Sequence, residues 1–405
     1  MTDLKYNRGS EWRKWDLHIH TPASFHWNGQ KFKSDPDCPE NIALVDEMIS
    51  ALNAAEPAVF AIMDYWTFDG WFALKRRLSQ ADSPKLEKTV FPGIELRLMA
   101  PMKGRLNAHV LFSDKIDDQD LVDFKSNLLV EFPGQDARNL SNTALIEYAR
   151  FVPADKLKHH ALDRAKVIED DSYALKAGSI MAELNCESYK QAITKVKNDK
   201  AIGFMPFDTS DGLTEIERNE HYGYVLGLFK SSPIFETRNI GLWEAFSGTK
   251  TDRNAGWIDE FQAALNNTPR LAVSGSDAHC FIGETGNNDK RGYGDYPSGK
   301  ISWIKANPTF EGLQQAIKEP AKRSFIGEQP PKIKLFNENR SLFIDTLEVS
   351  KVAGSILTEE WLNQTKLSLN PDLVAIIGNK GSGKSALADI TALLGNSKQN
   401  HHFSF

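Results

Sequence analysis

A regular alternation of short apolar runs with longer amphipathic segments occupies residues 15–327 and restricts the possible folds more than any other feature of the sequence. Helical spacing predicts helices such as NIALVDEMISALNAA, SYALKAGSIMAELN, GWIDEFQAALNN and FEGLQQAIKE. The runs predicted as strands are WDLHIH (15–20), VFAIMDYW (59–66), TVFPGIEL (89–96), AHVLF (108–112), AIGFMPFD (201–208), PIFETRN (233–239), RLAVSGSDAH (270–279) and ISWIKA (301–306). This order predicts an α/β fold of parallel strands and crossover helices, arranged as a barrel or as an open sheet.

Several of these runs end in side chains that can bind a metal ion, as in HIH, AIMDY, GIE, FMPFD and SDAH. In barrels of parallel strands and helices, functional groups lie at the carboxyl ends of the strands, so these side chains would converge on one rim. This convergence favours the barrel. Residues i and i+2 of an extended segment project to the same face, which lets His18 and His20 bind one ion together.

The predicted metal ligands are imidazoles and carboxylates from distant parts of the chain. They are His18, His20, Asp64, Glu95, His109, Asp277 and His279. Neutral imidazole suits Zn, Mn or Fe, and carboxylates can bridge two ions and balance their charge. A mixed set is typical of a two-metal site, in which one ion lowers the pKa of bound water and both stabilise charge on a phosphoryl group. We therefore expect phosphoester hydrolysis with a divalent cofactor, either Mn or Zn, with Fe or Mg as alternatives.

The ordered motifs DLHIHT, AIMDY, PGIEL, AHVL and SGSDAH, spread over residues 12–327, resemble the PHP (polymerase and histidinol phosphatase) superfamily. The resemblance implies a distorted (β/α)7 barrel, with seven strands and up to three metal ions. It implies that one ion is held by His18, His20, Glu95 and Asp277. Glu95 would bridge to a second ion bound by His109, and Asp64 and His279 would lie near a third.

Two positions depart from the pattern of this superfamily. Tyr65 follows Asp64 where the family usually has Asp-His, and a phenol with a pKa of about 10 is a poor ligand at neutral pH. Met205 in FMPFD stands where an imidazole is expected. Candidates to replace that imidazole are Asp208, Asp211 and the pair His159-His160. His26 is a spare imidazole that could act as a ligand or as a catalytic proton donor.

A glycine-rich loop, GETGNNDKRGYGDYPSGK at 283–300, follows the last ligand pair. It contains Lys290 and Arg291. We interpret it either as a mobile lid whose cations meet substrate phosphate, with Arg291 as a candidate catalytic residue, or as a plain surface loop.

A polar, proline-bearing stretch at 327–341 interrupts the alternation and predicts a linker. With a boundary near residue 335, residues 1–335 form the barrel domain and residues 336–405 a second segment.

In that second segment GNKGSGKS matches the phosphate-loop pattern G-x-x-x-x-G-K-[ST], between a predicted strand LVAII and the helix-like ALADITALLG. The loop consists of Gly378, Asn379, Lys380, Gly381, Ser382, Gly383, Lys384 and Ser385. Lys384 would contact the β and γ phosphates of ATP, and Ser385 would hold Mg²⁺.

The stretch LFIDTLEVS and the phosphate loop resemble the amino-terminal start of the ATPase heads of ABC and SMC-type proteins. Few residues follow Lys384, so we expect an incomplete P-loop ATPase segment that hydrolyses ATP poorly or not at all. A PHP barrel joined to such a head is similar to the TrlF-like PHP–ATPase proteins, some of which are associated with defence against phage. That resemblance implies a nuclease regulated by an ATP-binding head, with a homo-oligomer through the heads, or a partner protein, as further expectations.

Composition and charge exclude several classes of protein. Hydrophobic residues make up 41% and charged residues 25%, as in ordinary globular proteins. No apolar stretch approaches the roughly 20 residues that span a bilayer, and no secretion signal is recognised, so we expect a cytoplasmic protein without a membrane partner. The sparse cysteines predict reduced thiols; they are Cys38, Cys186 and Cys280.

A net charge of −6 gives no overall attraction to nucleic acid, so such a substrate would need a local basic patch. Lys75-Arg76-Arg77 and KLKHHALDRAK (156–166) are candidates, and each also fits a solvated helix face. The main hypothesis is a metal-dependent nuclease. The alternatives are a phosphomonoesterase acting on a nucleotide or small metabolite, a catalytically degenerate scaffold for the ATPase, and a nucleotide sensor. A deep closed pocket would favour the monoesterase, and an open basic groove the nuclease.

Overall fold

A computed structural model describes residues 7–209, 211–284, 290–356, 358, 360, 362–395 and 397. The chain divides into two compact units. One is formed by Arg13–Glu328, and the other combines Met1–Trp12 with Gln329–Phe405.

The strands and helices have the following bounds. The strands are β1 (Trp12–Ile19), β2 (Val59–Ile62), β3 (Thr89–Leu98), β4 (Leu106–Phe112), β5 (Leu129–Val130), β6 (Arg138–Asn139), β7 (Ala201–Pro206), β8 (Ile234–Glu236), β9 (Leu271–Val273), β10 (Ser302–Lys305), β11 (Ser324–Ile326), β12 (Thr346–Val349) and β13 (Thr365–Ser368). The helices are α1 (Pro39–Ala54), α2 (Asp69–Leu78), α3 (Asp118–Ser126), α4 (Asn142–Phe151), α5 (Ala154–His159), α6 (Arg164–Glu169), α7 (Asp171–Met181), α8 (Cys186–Lys195), α9 (Arg218–Ser231), α10 (Ile240–Ser247), α11 (Ile258–Ala264), α12 (Phe310–Lys318), α13 (Pro320–Arg323), α14 (Pro331–Glu338) and α15 (Lys384–Leu394).

The larger unit is an α/β fold built on a nearly closed barrel. Its sheet has nine strands in the order β11-β10-β1-β2-β3-β4-β7-β8-β9. Beyond β9 the chain returns to the end of β1, where the N–H of His20 donates to the carbonyl of Ala278 (2.9 Å) and the N–H of Asp277 donates to that of His18 (3.0 Å). These two bonds join the segment that follows β9 to the end of β1, the third strand in the sheet order, and so nearly close the barrel.

The prediction of an α/β fold with strands at the eight apolar runs is confirmed, but the sheet has nine strands where the resemblance implies seven, and not all of them are parallel. The antiparallel pair β10–β11 extends the sheet. Strand β4 runs antiparallel to both β3 and β7. Only residues 99–105 connect β3 to β4, and a connection this short leaves no room for the crossover helix that a parallel pair requires.

Two layers of buried side chains lie on the two faces of this sheet. The inner cluster contains alternate strand residues such as Trp15, Phe91 and Phe204, and the outer cluster packs the opposite faces against the helices. Helix α12 closes the inner cluster through Phe310, whose ring lies 5.9 Å from that of Phe91 in an edge-on contact. The amino-terminal end of the barrel is therefore filled, and its carboxyl-terminal end is left for the site.

A bulge in β1 decides which of its side chains enter the barrel. Asp16 pairs with Phe60 and Ile19 pairs with Ile62, so β1 advances three residues where β2 advances two. Leu17 and His18 therefore both lie opposite the inward-facing Ala61. Bulges of this kind re-aim side chains next to functional sites. Here the bulge turns His18 inward although Leu17 before it also belongs to the inner cluster.

The smaller unit contains an antiparallel hairpin, β12–β13, and the helices α14 and α15. Its amino-terminal residues join this hairpin region through the Arg8–Asp345 ion pair (2.7 Å) and through the Asn370 amide, which donates to the carbonyls of Arg8 and Ser10. The prediction of a strand at LVAII is wrong. Residues 373–377 pair with no strand among the described residues, and Leu373 and Ile377 are largely exposed.

In the part of the chain that the structure describes, no helix is both long and apolar enough to cross a membrane. Cys38, Cys186 and Cys280 are free thiols. The basic run on α2 is neutralised locally, since Arg77 is buried against Asp46 and Asp82, and Lys75 pairs with Asp118. The run at 156–166 spans the short helices α5 and α6.

Candidate metal centre

Five predicted ligands come together inside the open end of the barrel. Inner-cluster Phe91 is followed at two-residue spacing by Gly93 and Glu95 on β3, and His109 pairs directly with Glu95 across the β3–β4 ladder. The Nε2 atom of His109 lies 3.3 Å from Oε1 of Glu95. Oε2 of Glu95 lies 3.4 Å from Nε2 of His18 and 3.3 Å from Nε2 of His20. Oδ1 of Asp277 lies 3.5 Å from both of these imidazole nitrogens.

The residues fit a centre for divalent ions. One group consists of His18, Glu95 and His109, and another consists of His18, His20 and Asp277; in each, the potential ligand atoms lie within 4.8 Å of one another. An ion about 2.1 Å from its ligands separates them by about 3.0–3.4 Å, close to the distances found here. His18, His20, Glu95, His109 and Asp277 would hold the ions, and His18 belongs to both groups.

Buried atoms without partners support the same conclusion. Among the described residues, Nε2 of His18, both ring nitrogens of His20 and of His109, and Oε2 of Glu95 are buried without a hydrogen-bond partner. Buried polar atoms are nearly always satisfied in folded proteins, so a concentration of unsatisfied ligand atoms at one point fits a site that binds positive ions.

The protonation of the centre follows from its charges. Burial favours the neutral acid, yet the imidazoles of His109 and His18 hold the pKa of Glu95 well below its ordinary value. Burial also favours a neutral imidazole, but Glu236 and Asp277 hold the pKa of His18 well above its ordinary value. His20 behaves oppositely, because burial and the neighbouring His279 lower its pKa to about 3. The centre is thus a set of ionised carboxylates around imidazoles that differ in basicity.

Two residues that orient the ligands were not predicted from the sequence. Glu236, at the end of β8, accepts a 2.8 Å hydrogen bond from Nδ1 of His18. Asn107, two residues before His109 on β4, donates from Nδ2 to Oε1 of Glu95 (2.6 Å) and to Oδ2 of Asp211 (2.7 Å). The only sequence signal for Glu236 was a carboxylate at the end of the predicted strand PIFETRN.

Asp277 occupies an unusual backbone conformation. Its φ is +52°, in the left-handed region that residues other than glycine seldom adopt. Such conformations persist where the surrounding structure imposes them, and they concentrate at functional sites. The N–H of Asp277 donates to the carbonyl of His18, and its carboxylate also lies 3.3 Å from Nε2 of His279. The strained backbone therefore places a carboxylate between imidazoles of two different segments.

Asp64 and His279 were predicted to lie near a third ion, and of the two only His279 borders the centre. The carboxylate of Asp64 accepts from both the backbone N–H (2.7 Å) and the hydroxyl (2.6 Å) of Thr21. Burial raises the pKa of Asp64 to about 7. The ring of His279 stacks on that of His20 at 4.3 Å, and Tyr65 stacks on His20 at 5.2 Å. His279 thus borders the centre, while Asp64 lies outside both ligand groups.

The remaining candidate residues differ in whether they contact the centre. Asp211 reaches the centre through Asn107, and burial and Glu95 raise its pKa. Asp208 instead accepts from the N–H of Arg238 at 3.4 Å, and Met205 points into the outer cluster, where its sulfur lies 3.9 Å from the hydroxyl of Tyr189. His159 and His160 contact each other and belong to neither ligand group. His26 lies at the rim, 5.9 Å from the ring of His279; burial and Arg97 lower its pKa to about 4.

One guanidinium group, that of Arg291, lies beside a carboxylate of the centre, and Arg238 is near Arg291. Nη2 of Arg291 is 3.9 Å from Oδ2 of Asp277, and Nε of Arg291 donates to the carbonyl of Ser276. Burial and the neighbouring Arg238 lower the pKa of Arg291. Nε of Arg238 is buried without a partner among the described residues. The other predicted loop cation, Lys290, pairs with Glu284, and residues 285–289 of that loop lie outside the described part of the chain.

The phosphate-loop residues 378–385 belong to the smaller unit. Gly381 and Gly383 have φ values of +82° and +83°, which glycine adopts without steric cost. The loop leads directly into α15, and Nζ of Lys384 donates to the carbonyl of Asn379 at 2.9 Å. This is a glycine-rich turn that opens an 11-residue helix.

No protein-family model and no curated protein matches this chain. Among solved structures it is similar to a protein from Bifidobacterium adolescentis that is named for a proposed metal-dependent phosphoesterase activity, with 11% identity, a TM-score of 0.35, and coverage of 76% of this chain and 96% of the other. It is also similar to an amidohydrolase from Chromobacterium violaceum, with 16% identity, a TM-score of 0.31, and coverage of 69% and 94%. Likenesses this distant show neither a family nor an activity, so the function is argued from the site itself.

Proposed function

We propose that the barrel unit is a phosphoester hydrolase that depends on divalent metal ions. The observation that carries the proposal is the group of buried, unpartnered ligand atoms in His18, His20, Glu95 and His109. These residues, together with Asp277, would hold the ions. When bound, divalent ions supply Lewis acidity toward a phosphoryl oxygen and neutralise negative charge that develops on it. Glu236 and Asn107 would keep His18 and Glu95 turned toward the ions during turnover.

The two arginines favour a substrate that carries a phosphate group. Guanidinium groups bind oxyanions through paired, charge-assisted hydrogen bonds. Arg238 is near enough to Arg291 to lower the pKa of Arg291, and Nε of Arg238 is buried without a hydrogen-bond partner among the described residues. An anion between the arginines and the metal ligands would relieve this repulsion. Arg291 and Arg238 would then orient the phosphate and stabilise its added charge in the transition state.

Within this class we propose that the substrate is a nucleic acid, so that the protein is a nuclease. The phosphomonoesterase and scaffold alternatives make different predictions in one experiment. Purified protein would be analysed for bound metal by mass spectrometry. It would then be assayed in Mn²⁺ on 4-nitrophenyl phosphate, bis(4-nitrophenyl) phosphate, and DNA and RNA oligonucleotides.

We expect bound metal and diester cleavage in the wild type. Glu95→Gln should lose metal and at least about 100-fold in activity, since loss of an outer partner of a ligand can already cost that much. Glu169→Gln, on the exposed surface of α6, is the matched control and should behave as wild type. Absence of metal from active protein, or full activity in Glu95→Gln, would contradict the proposal. Monoester cleavage alone would support the phosphomonoesterase, and metal-free inactive protein the scaffold.

Nucleotide binding by the loop at 378–385 is a second candidate function. It is favoured by the two left-handed glycines and by the helix that begins at Lys384, because amides at a helix amino terminus attract phosphate. Binding of ATP with Mg²⁺, measured by calorimetry, should disappear in Lys384→Ala and persist in Lys334→Ala on α14. Equal binding by wild type and Lys384→Ala would contradict it. Regulation of the hydrolase by ATP and a role in phage defence stay predictions from resemblance.

A further inference from the structure

A cavity of about 380 Å³ lies next to the candidate metal centre, and aromatic residues at the rim of the centre also line the cavity. Phe25 and Tyr65 line the cavity, and the ring of Tyr65 stacks on the candidate ligand His20 with the two planes only 4° apart. The remaining wall is formed by the loop that carries Lys31, by residues 66–69, by the start of α4 and by α7. The cavity therefore begins one aromatic ring away from the metal ligands, and its volume lies within the range of about 300–1,000 Å³ that is usual for ligand sites.

The wall between the centre and this cavity is aromatic. The ring of His26 lies 4.2 Å from that of Phe25, and Phe25 lies 4.8 Å from Tyr65. Tyr173 of α7 adds a further ring on the far side of the cavity. Planar heterocycles bind to such surfaces by stacking and edge contacts that do not depend on base identity. A nucleobase is the ligand group that matches this lining.

Two exposed lysines, Lys31 and Lys176, line the cavity. Lys31 donates from Nζ to the carbonyl of Phe25 (2.6 Å), and burial and the neighbouring Lys176 lower the pKa of Lys31. Neither lysine forms an ion pair with a carboxylate in the part of the chain that the structure describes.

Two carboxylates also line this cavity, and both sit at helix starts. Asp170 accepts from the N–H groups of Ser172 and Tyr173 as the cap of α7, and Asp69 lies in the first turn of α2. Carboxylates in these positions are stabilised by the helix amides and dipole. The two ammonium groups, which pair with no carboxylate among the described residues, are therefore available to an anion.

We infer that this cavity is a subsite for the nucleoside next to the scissile phosphate, and that Lys31 and Lys176 bind the phosphate on the far side of that nucleoside. The inference rests on the proposed phosphoester hydrolysis and narrows the substrate to a strand, or a nucleotide, that carries a second phosphate. The reacting phosphate lies at the metal centre, the base lies against the aromatic wall, and the distal phosphate lies between the lysines.

A pair of substrates that differ only in the distal phosphate tests this directly. They are thymidine 5′-(4-nitrophenyl phosphate) and the same ester with a 3′-phosphate. The wild type should favour the 3′-phosphorylated ester by about 10-fold or more in kcat/KM, mainly through KM, because charged hydrogen bonds are each worth about that factor. The double variant Lys31→Gln/Lys176→Gln should lose this preference. The control Lys318→Gln/Lys322→Gln, which removes the same charge beside α12 and α13, should keep it.

Binding of adenosine 3′,5′-bisphosphate and of adenosine 5′-monophosphate, measured by calorimetry, tests the subsite without catalysis. Tighter binding of the bisphosphate that disappears in Lys31→Gln/Lys176→Gln supports the subsite, whether or not an ester is hydrolysed. Absence of hydrolysis would count only against the proposed function. Hydrolysis of both esters without preference, or a preference that survives in the double variant, overturns the subsite and leaves the hydrolase proposal intact.

Discussion

The carboxylate of Glu236 accepts a hydrogen bond from Nδ1 of His18 at 2.8 Å, and both side chains are buried. An imidazole that donates from Nδ1 must present a lone pair, or a second proton, at Nε2. Nε2 is the atom that faces Glu95 and Asp277. Glu236 therefore selects both the tautomer and the ring orientation in which His18 can bind metal, as the outer carboxylates of histidine-ligated metal sites do.

Replacement of Glu236 should weaken metal binding without removing a ligand. Glu236→Gln keeps the shape and one acceptor oxygen, whereas Glu236→Leu removes the acceptor. We expect metal affinity to fall about 10-fold in the first variant and up to about 100-fold in the second. Calorimetric titration with Mn²⁺, alongside circular dichroism to check the fold, measures this. Equal affinity in Glu236→Leu and wild type would mean that Glu236 does not orient His18.

Asn107 separates two carboxylates that would otherwise repel each other. Its Nδ2 donates to Glu95 and to Asp211, so removal of the amide leaves one buried and one partly buried acceptor without this donor. We expect Asn107→Ala to lower the free energy of unfolding by about 1–3 kcal/mol in metal-free protein. Added Mn²⁺ should recover part of this loss, because binding stabilises the folded state.

Thermal unfolding of Asn107→Ala with and without Mn²⁺ provides the measurement. The matched control is Asn127→Ala, whose partly exposed side chain donates to the carbonyl of Asp123 in α3 and accepts from Nζ of Lys195 in α8. If both variants unfold alike and respond alike to metal, Asn107 has no special role at the centre.

Much of the barrel and its convergent ligands could be predicted because both follow from local patterns. Apolar runs mark the strands, and strands joined in one direction bring their ends to one rim. The neighbours of the ligands could not be predicted in this way. Asn107 reaches Glu95 only because β4 runs antiparallel to β3, and that direction depends on a short connection rather than on any motif.

The bulge in β1 and the hydrogen bonds of Asp64 are also features that local sequence patterns do not predict. In a regular strand, two-residue spacing places His18 and His20 on one face and Leu17 on the other. Leu17 nevertheless lies in the inner cluster. Only the extra residue opposite Ala61 allows all three to point inward. Asp64 fitted the ligand pattern by type and position, yet its two oxygens accept from Thr21. Which partner a strand-end carboxylate takes is decided by tertiary packing.

The inner cluster should dominate the stability of the larger unit. Phe91 is fully buried and packs against Trp15 and Phe310. Phe91→Ala removes a large apolar side chain from a filled interior, so we expect a loss of about 3–5 kcal/mol in the free energy of unfolding. Ile168→Ala, at a side chain that is 55% exposed, should change it by less than about 0.5 kcal/mol. Denaturant titration of both variants measures the contrast, and similar midpoints would show that the inner layer is not tightly packed.

Two glycine-to-alanine changes in helices should have opposite effects on stability, and their contrast tests the packing around Asp64. Alanine favours helix by about 1 kcal/mol over glycine, which alone would make both changes stabilising. A Cβ at Gly70 in α2, however, would collide with the carboxylate of Asp64 and the hydroxyl of Thr21, which hydrogen-bond to each other, whereas a Cβ at Gly227 in α9 would meet no atom within 4 Å. We expect Gly227→Ala to raise the free energy of unfolding by about 0.5–1 kcal/mol and Gly70→Ala to lower it by about 1–3 kcal/mol. Chemical denaturation of the two variants provides the test, and a Gly70→Ala protein as stable as Gly227→Ala would mean that the Thr21–Asp64 contact is loose enough to move aside.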